Sequence, residues 1–352
     1  MELPVGTVLR DRYQIVSLIG QGGMGAVYLT EDTRLPGRRC AIKEIRLPPD
    51  LVAGADPSGA RQRAREQFRR EATVLARLDH PNLPKVSDFF TAAPQLPGDL
   101  SGTGMLADER DYLVMDYVPG DDLLHIVREA RRKARFLPEA QVLAWIEQVC
   151  DVLSYLHRQE PPVLHRDVKP ANIKLTPEGD IKLVDFGLVK PMDAPGETTF
   201  TGLRGVGSIP YTPLEQYGDF ADHTDVRSDL YALGATTYHL LTSSEPPSAQ
   251  EIFVNPDVLI PPRQMNPDIS PATEGAVLAA MGSHPGDRLP TVDAWRRLLR
   301  SVPLPGGGMS PAHPLDTLPS ARSPWAQAWR ENGWLVVTGV LLTALVLYLT
   351  FR

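Results

Sequence analysis

Along the first hundred residues, short runs of β-branched and aromatic side chains alternate with polar ones between Gly and Pro turns. Tyr13 to Ile19, Ala26 to Leu29 and Arg39 to Ile45 carry this pattern, which predicts antiparallel strands. Residues 61–78 then change period, placing Phe68, Leu75 and Leu78 at helical spacing with arginines around the remaining face, and His80-Pro81 stops the helix. After Pro119-Gly120 the helical period dominates. Leu123 to Arg135 and Pro138 to Arg158 read as helices, Ile173 to Leu175 and Ile181 to Val184 as short strands, and more helices follow from Ser228 onward. Two stretches, Leu47 to Gly59 and Thr91 to Glu109, show no period and are expected to be weakly ordered insertions. The pattern predicts an α+β chain of two lobes: residues 1–117 with a small antiparallel sheet and one helix, and residues 118–302 mainly helical.

The C-terminal residues are of another kind. From Val302 the chain runs Pro-Leu-Pro-Gly-Gly-Gly and then Pro, Ser, His and Thr, so 303–333 is expected to be a flexible linker. Trp334 to Phe351 is eighteen residues without a charge, with Trp325, Trp329, Trp334 and Tyr348 near its ends, which predicts a transmembrane helix over 334–351. A buried core helix is the competing reading. Met1 to Asp11 holds no secretory apolar run, so the expected localisation is the cell membrane, single-pass, with the N-terminal domain cytoplasmic.

Composition narrows the classes further. With 42% apolar and 22% charged residues the chain is not intrinsically disordered. Lys and Arg total 36 against 43 Asp and Glu, a formal charge of −7 that argues against a nucleic-acid partner. Cys40 and Cys150 have no second Cys or His at metal-ligand spacing, and both suit a reducing cytosol.

Candidate chemistry begins at Gly20-Gln21-Gly22-Gly23-Met-Gly25-Ala-Val27, where the glycines let the backbone approach a phosphate. A dinucleotide fold would need a helix immediately afterwards, whereas Ala26 to Leu29 reads as a strand closing a hairpin. Ala41-Ile42-Lys43 puts an ammonium on the next strand, within reach of phosphates if a carboxylate holds it. Glu71, one turn before Leu75, is the candidate holder. The densest signal is His165-Arg-Asp167-Val-Lys169-Pro-Ala-Asn172, followed thirteen residues later by Asp185-Phe-Gly187. An aspartate to orient or deprotonate a hydroxyl, a lysine for a phosphoryl group, and Asn and Asp oxygens for hard Mg²⁺ ions are what phosphoryl transfer requires.

On this ordered set, residues 9–300 resemble the eukaryotic-like protein kinase superfamily, and Leu9-Arg-Asp-Arg-Tyr13 with Gly22-Gly-Met-Gly25 resembles its bacterial Hanks-type Ser/Thr branch. The resemblance implies a two-lobed kinase fold that uses ATP and Mg²⁺ (or Mn²⁺). It implies Lys43 and Glu71 as the active-state ion pair, Asp167 as catalytic base, Lys169 at the γ-phosphate, and Asn172 and Asp185 as metal ligands. Gly20, Gln21, Gly22, Gly23, Gly25, Val27 and Ala41 would line the nucleotide site, with Met115 as gatekeeper and Asp116 to Val118 as the adenine hinge. Lysine two residues after Asp167 matches Ser/Thr kinases, so protein Ser/Thr would be the acceptor.

Residues 185–215 resemble an activation segment, with Pro213-Leu214-Glu215 where Ala-Pro-Glu is usual, and Arg288 matches the arginine that pairs with the glutamate. Arg166 before the catalytic aspartate implies phosphate gating, with Thr198, Thr199 and Thr201 as candidate phosphosites; unmodified threonines in a polar loop are the alternative. Lys174 falls where an apolar side chain usually lies beneath adenine; its methylenes can still cover the ring. Asp229 matches the buried aspartate that braces the catalytic loop. Arg128, Arg131, Arg132, Lys133 and Arg135 make one helix basic, a solvated face or a dock for acidic substrates or anionic lipid. The expected function is a membrane-anchored Ser/Thr kinase that signals at the membrane and autophosphorylates its activation segment, with homodimers for that step; a pseudokinase scaffold and a small-molecule phosphotransferase are the alternatives.

Overall fold

The computed structural model describes residues 2–22, 25–45, 57–97, 109–185, 206–217 and 224–300. The first 302 residues form one compact unit. Its N-terminal part is a six-stranded antiparallel sheet of order β1-β2-β3-β4-β6-β5: β1 (Val8–Leu9), β2 (Tyr13–Gly22), β3 (Gly25–Asp32), β4 (Arg39–Ile45), β5 (Val86–Ala92) and β6 (Arg110–Asp116). Strand alternation sends Cys40 and Ile42 to a core with Leu9, Tyr13, Ile15, Tyr28, Phe90, Tyr112 and Val114. Their neighbours Ala41 and Lys43 face the other way, where Ala41, Leu113, Met115 and Val86 pack against Phe68, Ala72 and Leu75 of α1 (Pro57–Arg77) and Leu78 just past its end.

A second sheet, β7 (Asp121–Asp122), β8 (Ile173–Leu175) and β9 (Ile181–Leu183), lies among α2 (Leu123–Arg132), α3 (Glu139–His157) and α4 (Val226–Thr242). Every residue of α4 from Ser228 to Thr242 is buried, so this helix is the pillar of the C-terminal part. Its polar side chains are satisfied locally: Thr237 and Thr242 donate to the carbonyls of Leu233 and Tyr238, and Thr236 to that of Val168. Helices α5 (Ala249–Val254), α6 (Pro262–Met265), α7 (Pro271–Ala280) and α8 (Val292–Arg300) complete the layer.

Several boundaries differ from the sequence-based expectation. Helix α1 begins at Pro57, inside the stretch read as an insertion to Gly59, because proline suits a first helical turn where its missing N–H has no partner to lose. Helix α2 stops at Arg132 rather than Arg135, since Ala134 takes a left-handed φ of +49° and Arg135 N–H closes back on the Ala130 carbonyl at 3.0 Å. The second expected insertion starts as ordered chain: Thr91 and Ala92 end β5, and Gln95 bridges to Val8. The linker 303–333 and the span 334–351 lie outside the described residues, among which no helix is long and apolar enough to cross a membrane.

Candidate active site

The glycine-rich run is a hairpin, as the strand reading required. Gly20, Gln21 and Gly22 close β2, Gly25 opens β3, and Gly22 pairs with Gly25. Gly25 has φ +138°, a conformation open to glycine, while Gly23 lies outside the described residues. The ladder sets Val27 opposite Lys43, Ala41 opposite Met115 and Lys43 opposite Leu113, so these side chains share the concave side of the sheet. A cavity there is lined by Lys43, Leu75, Pro84, Val86, Leu113, Met115 and Asp185.

Past Met115 the chain leaves the sheet through Asp116 and Val118. Asp116 N–H is spent on the Lys85 carbonyl at 3.0 Å, but the Val118 backbone N–H and C=O bond nothing among the described residues, although its side chain is buried. A free donor and acceptor beside an apolar cleft are the groups an adenine edge needs.

The loop between α3 and β8 is organised from beneath by Asp229 of α4. Its Oδ2 accepts from His165 N at 2.9 Å and its Oδ1 from Arg166 N at 2.7 Å, and His157 Nε2 lies 2.9 Å from Oδ2. Burial would raise the Asp229 carboxyl, yet these donors hold it below the usual carboxylate range. Burial also pushes His165 down, against the pull of Asp229 and Asp167.

Above that base, Asp167 is gripped on one side. Asn172 Nδ2 donates to its carbonyl at 2.8 Å and its Oδ2 at 2.9 Å, and Lys169 Nζ reaches Oδ2 at 2.8 Å. The same ammonium bonds Ser208 Oγ at 2.7 Å, tying the loop to the 3-10 helix Val206–Tyr211. Sequence reasoning passed over Ser208. Its place within the 185–215 stretch was its only signal, and its partner lies 39 residues away.

Asp185 follows β9 with a left-handed φ of +57° and delivers its carboxylate to Lys43 Nζ. Burial works against this charge, but Lys43 and then Lys169 hold its pKa low. The expected Lys43–Glu71 pair is therefore corrected: Glu71 is buried on α1 at 4% exposure, and among the described residues the ammonium takes the carboxylate of Asp185, past the end of β9, instead. The turn after β9 brings Asp185 to the Lys43 ammonium, so the pair that forms is set by that turn and not by α1.

The residues suited to a divalent ion are Asn172 and Asp185. Val184 N–H donates to the Asn172 carbonyl at 2.8 Å, so the two segments run together. Among the described residues no three His, Cys, Asp or Glu side chains gather into a metal site. Two hard oxygen ligands with the rest from phosphates and water is the pattern Mg²⁺ accepts, so the donor set fits that ion and not a cage-bound metal.

Residues 13–259 match the protein kinase domain. The chain belongs to the protein kinase family. A probable serine/threonine-protein kinase of Streptomyces coelicolor is 33% identical over 82% of this chain and 39% of its own length. PknB of Mycobacterium leprae is 33% identical over 82% of this chain and 42% of its own, and PknA of Mycobacterium tuberculosis 30% over 91% and 67%. The chain thus spans about two fifths of several curated relatives it matches. The solved PpkA-294 apo form is similar at a TM-score of 0.64 and 27% identity, covering 85% of this chain and 99% of that one.

In this kinase domain the Glu215–Arg288 pair forms as the sequence implied, with Nη1–Oε1 at 2.6 Å and Nη2–Oε2 at 3.1 Å, and the Pro213-Leu214 replacement leaves it intact. Lys174 sits on β8 opposite Asp122 and donates to the Gly120 carbonyl at 2.8 Å, which fixes its ammonium to the chain entering β7. Thr198, Thr199 and Thr201 lie outside the described residues.

Proposed function

We propose that the chain is a serine/threonine protein kinase that transfers the γ-phosphoryl group of ATP to protein hydroxyls. The observation that carries this reading is the Lys169 ammonium shared between Asp167 and Ser208, which puts a carboxylate base and a cation beside the 206–217 segment. On this reading Asp167 orients the acceptor hydroxyl and takes its proton as oxygen bonds to phosphorus. Lys169 and Lys43 face the phosphoryl charge, and Asn172 and Asp185 would hold Mg²⁺ (or Mn²⁺), which supplies charge neutralisation on the phosphates when bound. The Val118 backbone groups, which bond nothing among the described residues, would with Met115 and Asp116 receive adenine under the Gly20–Val27 hairpin.

The finer parts belong to the same proposal. Gating by phosphate at Thr198, Thr199 or Thr201, autophosphorylation between two copies, and anchoring of a cytoplasmic domain by residues 334–351 rest on the sequence patterns given above. Full-length chain incubated with Mg-ATP, beside Asp185→Asn, tests the reading by phosphosite mapping. Phosphate gained only by the unaltered chain supports it. If neither chain phosphorylates itself or a generic protein substrate, with Mg²⁺ or Mn²⁺, a membrane-anchored pseudokinase scaffold is the better account.

A further inference from the structure

The 3-10 helix that carries Ser208 ends at Tyr211, whose hydroxyl lies 2.7 Å from His239 Nδ1 on α4, with the two rings stacked at 6.2 Å. Helix α2 packs against that same α4. Its Leu123, Val127 and Ala130 are buried, so Arg128 and Arg131 flank the buried stripe and remain exposed. The charges on α2 are not equivalent. Glu129 engages Arg132 and Lys133, whereas Arg128 and Arg131 form no ion pair among the described residues. Opposite them α4 offers His239, a buried imidazole that desolvation and the fields of Arg128 and Arg131 keep neutral, its pKa pushed down to about 4. Arg128 also acts on the buried Tyr211 hydroxyl, and the exposed Glu245 is the acidic group that faces it. The acidic pair Asp121-Asp122 sits at the far end of α2, where Asp122 is occupied in capping His125 N at 2.8 Å. Ile209, next to Ser208, is 40% exposed and offers an apolar contact beside the charges.

We infer that Arg128 and Arg131 of α2, set beside the Tyr211–His239 contact, select protein substrates carrying anionic side chains near the acceptor hydroxyl. The inference rests on the kinase reading above and names its substrate class. Two exposed guanidinium groups three residues apart project as neighbours on one helix face, and a neutral imidazole leaves Glu245 as the acidic group set against them at Tyr211. A basic peptide would meet like charge there; an acidic or phosphorylated one gains charge-assisted hydrogen bonds. Charge complementarity is therefore the discriminating element, with Ile209 adding area and no selectivity for sign.

The test uses full-length chain and a peptide library with one Ser or Thr acceptor and every flanking position varied through Asp, Glu, phosphoserine, Ala and Lys. Selection of anionic residues at one or more positions over Lys by about tenfold or more is expected. Asp and Glu against phosphoserine decide which anion is read. In Arg128→Glu/Arg131→Glu the ratio of acidic to basic peptide turnover should fall below one, mainly through KM. Thermal unfolding of that variant checks folding; both positions are exposed. Equal use of acidic and basic peptides by the unaltered chain, or an unchanged ratio in the variant, overturns the inference while leaving the kinase reading intact. No turnover of any peptide overturns the inference, and overturns the kinase reading too only where the chain also phosphorylates neither itself nor a generic protein. If the ratio is flat and the double variant instead loses binding to phosphatidylserine vesicles, the arginines face lipid and the inference fails.

Discussion

Replacing Arg288 by Met removes a charge whose side chain is 0% exposed and leaves Glu215, at 6%, inside the protein without its counter-ion. The arginine spends all five of its donors: besides the two contacts to Glu215 it donates to Gly282 O at 2.7 Å, Arg227 O at 3.1 Å and Ser283 O at 3.2 Å, and its guanidinium lies 4.9 Å from the Tyr231 ring centre. Glu215 keeps one donor, Ser228 Oγ at 2.7 Å. Removing one partner of a buried pair costs about 3–5 kcal/mol, a large share of a stability of about 5–15 kcal/mol. An exposed pair such as Arg10–Asp88, at 3.0 Å, is worth about 1 kcal/mol or less. Urea denaturation followed by tryptophan fluorescence should therefore show Arg288→Met losing several times what Arg10→Met loses. The double variant Arg288→Met/Glu215→Leu should cost clearly less than the sum of its parts, because no charge is stranded. Glu215 closes the segment that begins at Val206, so peptide KM should rise with Arg288→Met. A loss equal to that of Arg10→Met, or strictly additive singles, would refute the reasoning.

Two further outcomes follow from the same geometry. Gly120 has φ +100°, and a Cβ there would stand 2.0 Å from the Leu175 carbonyl, whereas Gly179 has φ +94° with nothing within 4 Å. Gly179→Ala should cost about 1–2 kcal/mol from backbone strain alone and Gly120→Ala measurably more, read as urea midpoints; equal losses would sink the clash argument. Because burial lowers His239 from 6.5 to about 4, the unfolded chain takes up a proton first as pH falls, so stability is lost between those values by up to about 3 kcal/mol. His165 shifts the same way and adds to the loss. His239→Gln should flatten the dependence by about 2 kcal/mol between pH 7 and pH 5, and parallel stability curves would contradict it.

The parts of the site that sequence revealed are those in which chemistry and spacing sit on one short segment. Asp167, Lys169 and Asn172 fall within six residues, and their mutual hydrogen bonds need only the local loop. What the pattern did not reveal is long-range. Ser208 meets Lys169 and Tyr211 meets His239 only because α4 brings the segments together, and neither pair has a local signature. Lys43 illustrates the same limit from the other side: a lone ammonium on a strand does not specify which of two acidic residues, Glu71 or Asp185, will reach it. Strand β5 escaped for a local reason. Its pairing with β6 shifts register between Val86 and Asp88, and such an irregularity breaks the alternation by which a strand is recognised.

The position of Asp167 finally depends on a charge that touches no substrate. Arg166 occupies a left-handed φ of +64°, unfavourable for a residue with a Cβ, and a loop free to relax would abandon it. It is held there because its N–H and that of His165 both donate to the Asp229 carboxylate, which α4 buries completely. Charge-assisted bonds to a fully desolvated acceptor are among the strongest the protein makes, and among the described residues the carboxylate has no further side-chain or backbone donor beyond His157. The strained turn and the buried ion are therefore two halves of one device: the ion would be costly without the amides, and the amides would not point inward without the turn. Asp167, the next residue, inherits its direction from that balance, so the reacting end of the site is set by the pillar helix beneath it.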